Sequence, residues 1–275
     1  MKICLISRDA TYGNGAALAE GLKNFADVET IFYLLDTKGL YQQTNCKITN
    51  RIPQADHYII MGAISLESFP ENLYSKGVTI VLCGTAYRNN PTKYNKIITE
   101  NKWNLWAMPD LAPTAGTNNV YYQPFIIPDV DKTKRKAVCH SPSHPSKLKE
   151  KGTKLIGRVC LMNNIPITII MGKTWMETIE IKAKHHIVID QIGAGLGKSG
   201  LEAMLLGCVV LSGIKPVGDN IPPIRWTDRE HLEADLINVW TDSLLRNQII
   251  EEQYEWANFN LNPINVAQKI INSIT

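Results

Sequence analysis

The residues best placed to do chemistry lie in the run IDQIGAGLGKSGLEAM, residues 189–204. An apolar strand, a glycine loop and a helix start follow one another there. That order aims backbone N–H groups and the positive end of a helix dipole at an anion, usually a phosphate. Gly197, Lys198 and Ser199 look like the end of a nucleoside-triphosphate loop, but that loop needs four residues between its first glycine and the Gly-Lys pair. Gly193 leaves three, residues 194–196, and position 192 is Ile192. Gly195, Gly197 and Gly200 satisfy the G-x-G-x-x-G spacing of a dinucleotide site. That motif normally sits at the first strand of a domain, with an acid roughly 20 positions on, whereas this run lies deep in the chain.

Residues 190–212 resemble the donor-binding segment of retaining GT-B glycosyltransferases, the glycosyltransferase family 4-like enzymes that use nucleotide sugars. That segment carries a Glu, a Gly-aromatic-Gly loop, a second Glu eight residues after the first, and Ala-Met-x-x-Gly. Gly195, Leu196 and Gly197 match the loop, and Glu202, Ala203, Met204 and Gly207 match the second half, while the first Glu is replaced by Ala194. The resemblance implies that Gly195, Leu196, Gly197, Lys198 and Ser199 hold the donor diphosphate, with Asp190 at the preceding strand end, and that Glu202 binds the nucleotide ribose. A plainer role competes for Glu202. Ser199 and Glu202 have the spacing of a capping box, with Ser199 at the N-cap and Glu202 at N3.

Other positions extend the resemblance. His140 and Ser141, followed by Lys151, Gly152 and Thr153, match the family's first C-terminal strand end and the Lys-Gly pair opening its next helix. The resemblance makes His140 and Ser141 donor-binding and assigns Lys151 to the leaving diphosphate; a solvated helix-start lysine is the alternative. Gly13 and Gly15 match a glycine loop near the donor phosphates. Arg88 and Asp110 fall in expected cleft loops, either touching substrate or forming a surface ion pair. The family's histidine has no counterpart in residues 82–88. The implied reaction is metal-independent transfer with retention, UDP-glucose being the expected donor and co-substrate, with no further cofactor.

The acceptor is read from charge. Lys132, Lys134, Arg135 and Lys136 form one basic cluster, and Lys147, Lys149, Lys151 and Lys154 another. These are a solvated face or a landing zone for a polyanion. Compact GT-B enzymes of phages glucosylate hydroxymethylated pyrimidines in DNA, and this chain is a candidate for such an enzyme, with Trp103 and Trp106 either helping to hold a displaced base or, as is commoner, serving as core or helix-packing residues. The alternatives are a surface glycan or lipid-linked sugar as acceptor, a nucleotide-sugar epimerase, and a binding protein without transferase activity.

The chain has 275 residues, 44% hydrophobic and 20% charged, with a net charge of +3, enough for two globular domains. Its six cysteines form no C-x-x-C pair, and several sit in apolar runs, as expected in a reducing compartment. Cys139, His140 and His144 are separated by Pro142 and followed by Pro145, which argues against a zinc site. No stretch approaches 18 consecutive apolar residues, and the N-terminus lacks a signal-peptide pattern, so the expectation is a cytoplasmic protein with no membrane span.

Apolar runs at residues 2–7, 28–35, 56–61 and 78–83 predict buried parallel strands. Leu18, Leu22 and Phe25 share one face of a helix. Four prolines between 109 and 128 suggest a linker. A second series follows: strands at 136–139, 165–171, 186–190 and 209–212, with helices at 152–162, 174–183 and 199–206 and a helical tail. The expected architecture is α/β with a GT-B fold, two Rossmann-like parallel-sheet domains facing across a cleft. Residues 1–132 would form the acceptor-side domain and 133–260 the donor-binding domain, with 261–275 crossing back to the first.

Overall fold

A computed structural model describes residues 1–7, 14–25, 29–34, 47–49, 51–83, 85–132, 136–143, 145–149, 151–216 and 219–275. Internal packing divides the chain into two units, Met1–Ile126 with Asn260–Thr275, and Ile127–Phe259.

In the first unit the strands are β1 (Lys2–Ser7), β2 (Glu29–Leu34), β3 (Lys47–Thr49), β4 (His57–Met61), β5 (Gly77–Leu82) and β6 (Asn104–Ala107). They form a parallel sheet in the order β3-β2-β1-β4-β5-β6. Side chains alternate across a strand, so Cys4 and Ile6 of β1 enter one core and Ile3 and Leu5 the other. A strand buried on both faces must be apolar throughout, which is why β1 shows no alternation in its sequence. Helix α1 (Asn14–Leu22) lies on the Ile3 side, with Leu18 and Leu22 in that core and Phe25 packed against it. Helices α2 (Thr85–Asn89), α3 (Pro91–Glu100) and α4 (Ala112–Ala115) complete the connections. The proline-bearing stretch after α4 is not a solvated tether: Tyr121, Tyr122 and Phe125 are buried in this unit. Trp103 and Trp106 are core residues too. Trp103 packs edge-on against Phe69 and Tyr74, and Trp106 donates to Ser273 Oγ at 3.3 Å. Neither offers an open face for a displaced base, and of the two roles expected for them the core one holds.

The second unit contains β7 (Lys136–Ser143), α5 (Thr153–Met162), β8 (Ile167–Met171), α6 (Trp175–Ala183), β9 (His185–Ile189), α7 (Lys198–Leu205), β10 (Val209–Ser212) and β11 (Arg225–Trp226), then α8 (Leu232–Thr241) and α9 (Ser243–Asn260). Its parallel sheet runs β11-β10-β9-β7-β8. The last helix, α10 (Pro263–Asn272), packs Val266, Ala267, Ile270 and Ile271 into the same core as α1 of the first unit. Its start is capped by Asn262, which accepts from Ile264 N at 2.9 Å. The short edge strands β3, β6 and β11 were not expected, because two to four residues are too few to display a period.

His57, at the start of β4, is buried and contacts Thr79 Oγ1 at 2.9 Å. Burial pushes its imidazole down from 6.5 to about 4. As pH falls from about 6.5 to about 4, the unfolded chain takes up a proton that the folded chain refuses, so stability falls over that window. His57→Gln is expected to flatten this loss, read as a smaller drop in urea midpoint between neutral and mildly acid buffer.

Candidate functional site

In the second sheet the chain moves from β7 outward to β8, then returns to place β9 on the other side of β7. Ligands of open parallel sheets bind beyond the strand ends at such a reversal. Asp190 directly follows β9, Lys151 shortly precedes α5, and the glycine loop runs from β9 to α7. Sheet order thus gathers residues that lie about 40 positions apart in sequence.

The loop is fastened at both ends. Asp190 is fully buried, and its Oδ2 accepts from Gly197 N at 2.6 Å. Gln191 donates from Nε2 to Gly195 O. Gly213 N donates to Gln191 O at 2.7 Å, and Ile214 N to Ala194 O at 3.0 Å. A Cβ on Gly213 would meet Ile192 O at 2.5 Å and Ala194 O at 2.6 Å, so only glycine lets β10's exit pass the loop this closely. Gly197 is the N-cap of α7 and carries no side-chain cap. The capping-box expectation is therefore corrected. Ser199 stands inside the helix, and Asp190 satisfies the Gly197 amide instead. Two buried polar atoms here, Asp190 Oδ1 and Ser199 Oγ, have no hydrogen-bond partner among the described residues. Asp190 Oδ1 faces the Lys151 ammonium at 3.7 Å, which leaves Ser199 Oγ as the atom a water or ligand would complete.

Lys151 lies beside this loop, 14% exposed. Its Nζ donates to Ser141 O at 3.1 Å and sits 3.7 Å from Asp190 Oδ1. Gly152, at φ +74°, caps α5 in the left-handed region, which favours glycine. His140 is fully buried, with Nδ1 2.7 Å from Ile189 O and Nε2 2.8 Å from Thr153 Oγ1. Burial pushes its pKa down. Both ring nitrogens are engaged in joining β7, β9 and α5.

Glu202 lies one turn into α7 with its side chain 4% exposed. Oε2 accepts from Lys182 Nζ at 2.7 Å, and Oε1 accepts from Trp175 Nε1 at 2.8 Å. Lys198 Nζ stands 3.6 Å from Oε1 and 6.0 Å from the centre of the Trp175 ring. Burial alone would raise the Glu202 carboxyl. Lys182, Lys198 and the Trp175 N–H outweigh it and hold the group below the ordinary carboxylate range. Lys182 and Trp175 were not singled out from sequence. Lys182 occupies a core-facing position of α6, beside Ile179 and Ala183, and no local spacing announces a buried lysine.

The remaining candidates fall elsewhere. Gly15 is in the first turn of α1, and Gly13 lies outside the described residues. Arg88 and Asp110 pair with each other on the exposed surface of the first unit. Leu196 and Lys198 are half-buried. Of the basic residues, Lys132 and Lys149 are exposed. Lys134 and Arg135 lie outside the described residues, as do the side chains of Lys136 and Lys147 and the whole of His144. A cavity of about 510 Å³ opens past β10 and β11, between Ile214, Lys215, Trp226, Thr227 and His231. Among the described residues no helix is long and apolar enough to cross a membrane.

No family model and no curated protein matches the sequence. Among solved structures, the chain is similar to Anabaena HepE in complex with UDP, at TM-score 0.67 and 12% identity over 99% of each chain. It is similar to sucrose-phosphate synthase from Thermosynechococcus elongatus, at TM-score 0.59 and 10% identity over 99% of this chain and 98% of the other. A third similar structure is the UDP-GlcNAc 2-epimerase from Neisseria meningitidis bound to UDP-GlcNAc, at TM-score 0.51 and 12% identity over 100% and 99%. With two parallel-sheet α/β units, the chain has a GT-B glycosyltransferase-like fold.

Proposed function

We propose that this protein is a glycosyltransferase that binds a nucleoside-diphosphate sugar, a UDP-sugar, in its second unit. The observation that carries this is the strand reversal itself, where Lys151, the N-terminus of α7 and the unpartnered, buried Ser199 Oγ meet. The first N–H groups of any helix lack acceptors within it, and α7 starts beside a lysine already held against β7. The diphosphate is assigned to Gly195, Leu196, Lys198, Ser199 and Lys151, the Gly197 N–H being already given to Asp190. Glu202 takes a ribose hydroxyl on Oε1. Lys198 stands too far from that oxygen for a hydrogen bond and can give way.

In transfer, the acceptor oxygen bonds the sugar's anomeric carbon as the carbon–oxygen bond to diphosphate breaks. The hydroxyl proton leaves with the departing diphosphate. Charge grows on the leaving group, so preorganised cations and amides aimed at it lower the barrier. UDP-glucose as donor, retention of configuration and hydroxymethylpyrimidine in DNA as acceptor follow the sequence resemblance and the basic clusters.

The test incubates the full chain with a panel of UDP-sugars, UDP-glucose among them, and DNA containing hydroxymethylcytosine or hydroxymethyluracil, and separately with simple glycans. UDP and the modified nucleosides are then measured by mass spectrometry. A hexose-sized gain on the base supports transfer to DNA, and UDP release with a glycosylated glycan sends the acceptor there. An epimerised sugar nucleotide, or no UDP from any donor, overturns the transferase. Lys151→Ala is expected to lower turnover on the order of 100-fold while changing UDP affinity less. Equal turnover in the folded variant would remove Lys151 from the mechanism.

A further inference from the structure

We infer that Lys182 is a positioning residue for the donor nucleoside, acting through Glu202. The inference rests on the donor reading above. A lysine is almost never fully buried unless paired, and Lys182 is 1% exposed. Its Nζ donates to Glu202 Oε2 at 2.7 Å and to Ser199 O at 3.2 Å. One ammonium thus ties the carboxylate to the first turn of α7. A buried ion pair is a weak source of stability, and apolar residues of similar size usually serve as well or better. Core packing therefore gives no reason for a lysine between Ile179 and Ala183, whereas orientation does.

Lys182 takes one of the two accepting sites on Oε2 and Trp175 one of the two on Oε1, so each oxygen keeps one site. The site on Oε1, the oxygen that Lys198 approaches to 3.6 Å, is the one assigned to a ribose hydroxyl. Without Lys182, the buried carboxylate would take up a proton or turn toward Lys198, and the accepting geometry would be lost. The diphosphate contacts do not pass through Oε1, and Ser199, whose carbonyl Lys182 also holds, is kept in place by α7 itself, so they should survive.

The experiment titrates the full chain and its Lys182→Met, Lys182→Arg, Glu202→Gln and Lys182→Met/Glu202→Gln variants with UDP and, separately, inorganic pyrophosphate. Lys182→Met is expected to weaken UDP binding by about tenfold or more, the scale of one charge-assisted hydrogen bond, while pyrophosphate binding holds. Lys182→Arg should recover part of the UDP affinity. The double variant should bind UDP no worse than Glu202→Gln alone, because coupled residues are not additive. It leaves no buried charge unpaired, so it remains informative if Lys182→Met does not fold. Unchanged UDP affinity in folded Lys182→Met, an equal loss for pyrophosphate, or an additive double variant each overturns the inference and leaves the donor reading standing. A wild-type chain that binds no UDP overturns both.

Discussion

Replacing Glu202 with alanine is expected to destabilise the second unit by about 3–5 kcal/mol, the cost of stranding a buried charge. The charge left behind is Lys182, whose ammonium would keep only the Ser199 carbonyl at 3.2 Å. Lys182→Met is expected to cost less, because Glu202 would keep Trp175 and has Lys198 nearby. Combining Glu202→Ala with Lys182→Met should recover a good part of the loss, since no buried ion remains to be solvated. Urea unfolding of the three variants measures this; equal losses that simply add would show that the two side chains are not coupled. Loss of activity in Glu202→Ala therefore says nothing about ribose binding until the folded fraction is known, and Glu202→Gln is the informative change.

The second large effect lies in the first unit. A Cβ on Gly21 would sit 2.0 Å from Pro263 O and 3.2 Å from the Ala267 Cβ. The nearer atom is backbone, so it cannot rotate aside, and α10 would have to move off α1. In an exposed helix the same change would stabilise by about 1 kcal/mol, because alanine outranks glycine in helix propensity. Overpacking costs about 1–3 kcal/mol, sometimes more, so the net sign depends on whether α10 is seated. Gly21→Ala is expected to lower the unfolding midpoint and to expose the segment after residue 260 to proteolysis. A Cβ on Gly157, in α5, would meet nothing within 4 Å, so Gly157→Ala is expected to stabilise. A rise in both variants would show that α10 does not pack on Gly21.

Much of the architecture was legible because it is written in short-range pattern. Unbroken apolar runs marked β1, β4 and β5, since strands covered on both faces have no polar side to display. Glycines followed by a helix start marked the loop before α7. Leu18, Leu22 and Phe25 marked the buried face of α1. The loop's fastening was not legible. Ser199 and Glu202 have a capping box's spacing, yet α7 starts at Lys198, and spacing alone cannot fix a helix boundary to the residue. The actual capping box is at Thr174 and Glu177, where α6 begins.

The sequence by itself determined two α/β series and a glycine loop running from a strand into a helix start, with Lys151 and Glu202 in the segments around it. The tertiary structure decided what those side chains touch. Lys182 and Glu202 are 20 residues apart, and Lys151 and Asp190 are farther apart still. Their meetings depend on which strand lies beside which, through β9 returning next to β7. Periodicity reports which face of an element is apolar. It does not report which charged residue of one element will be buried against another, because that partner is set by sheet order and helix packing across the fold.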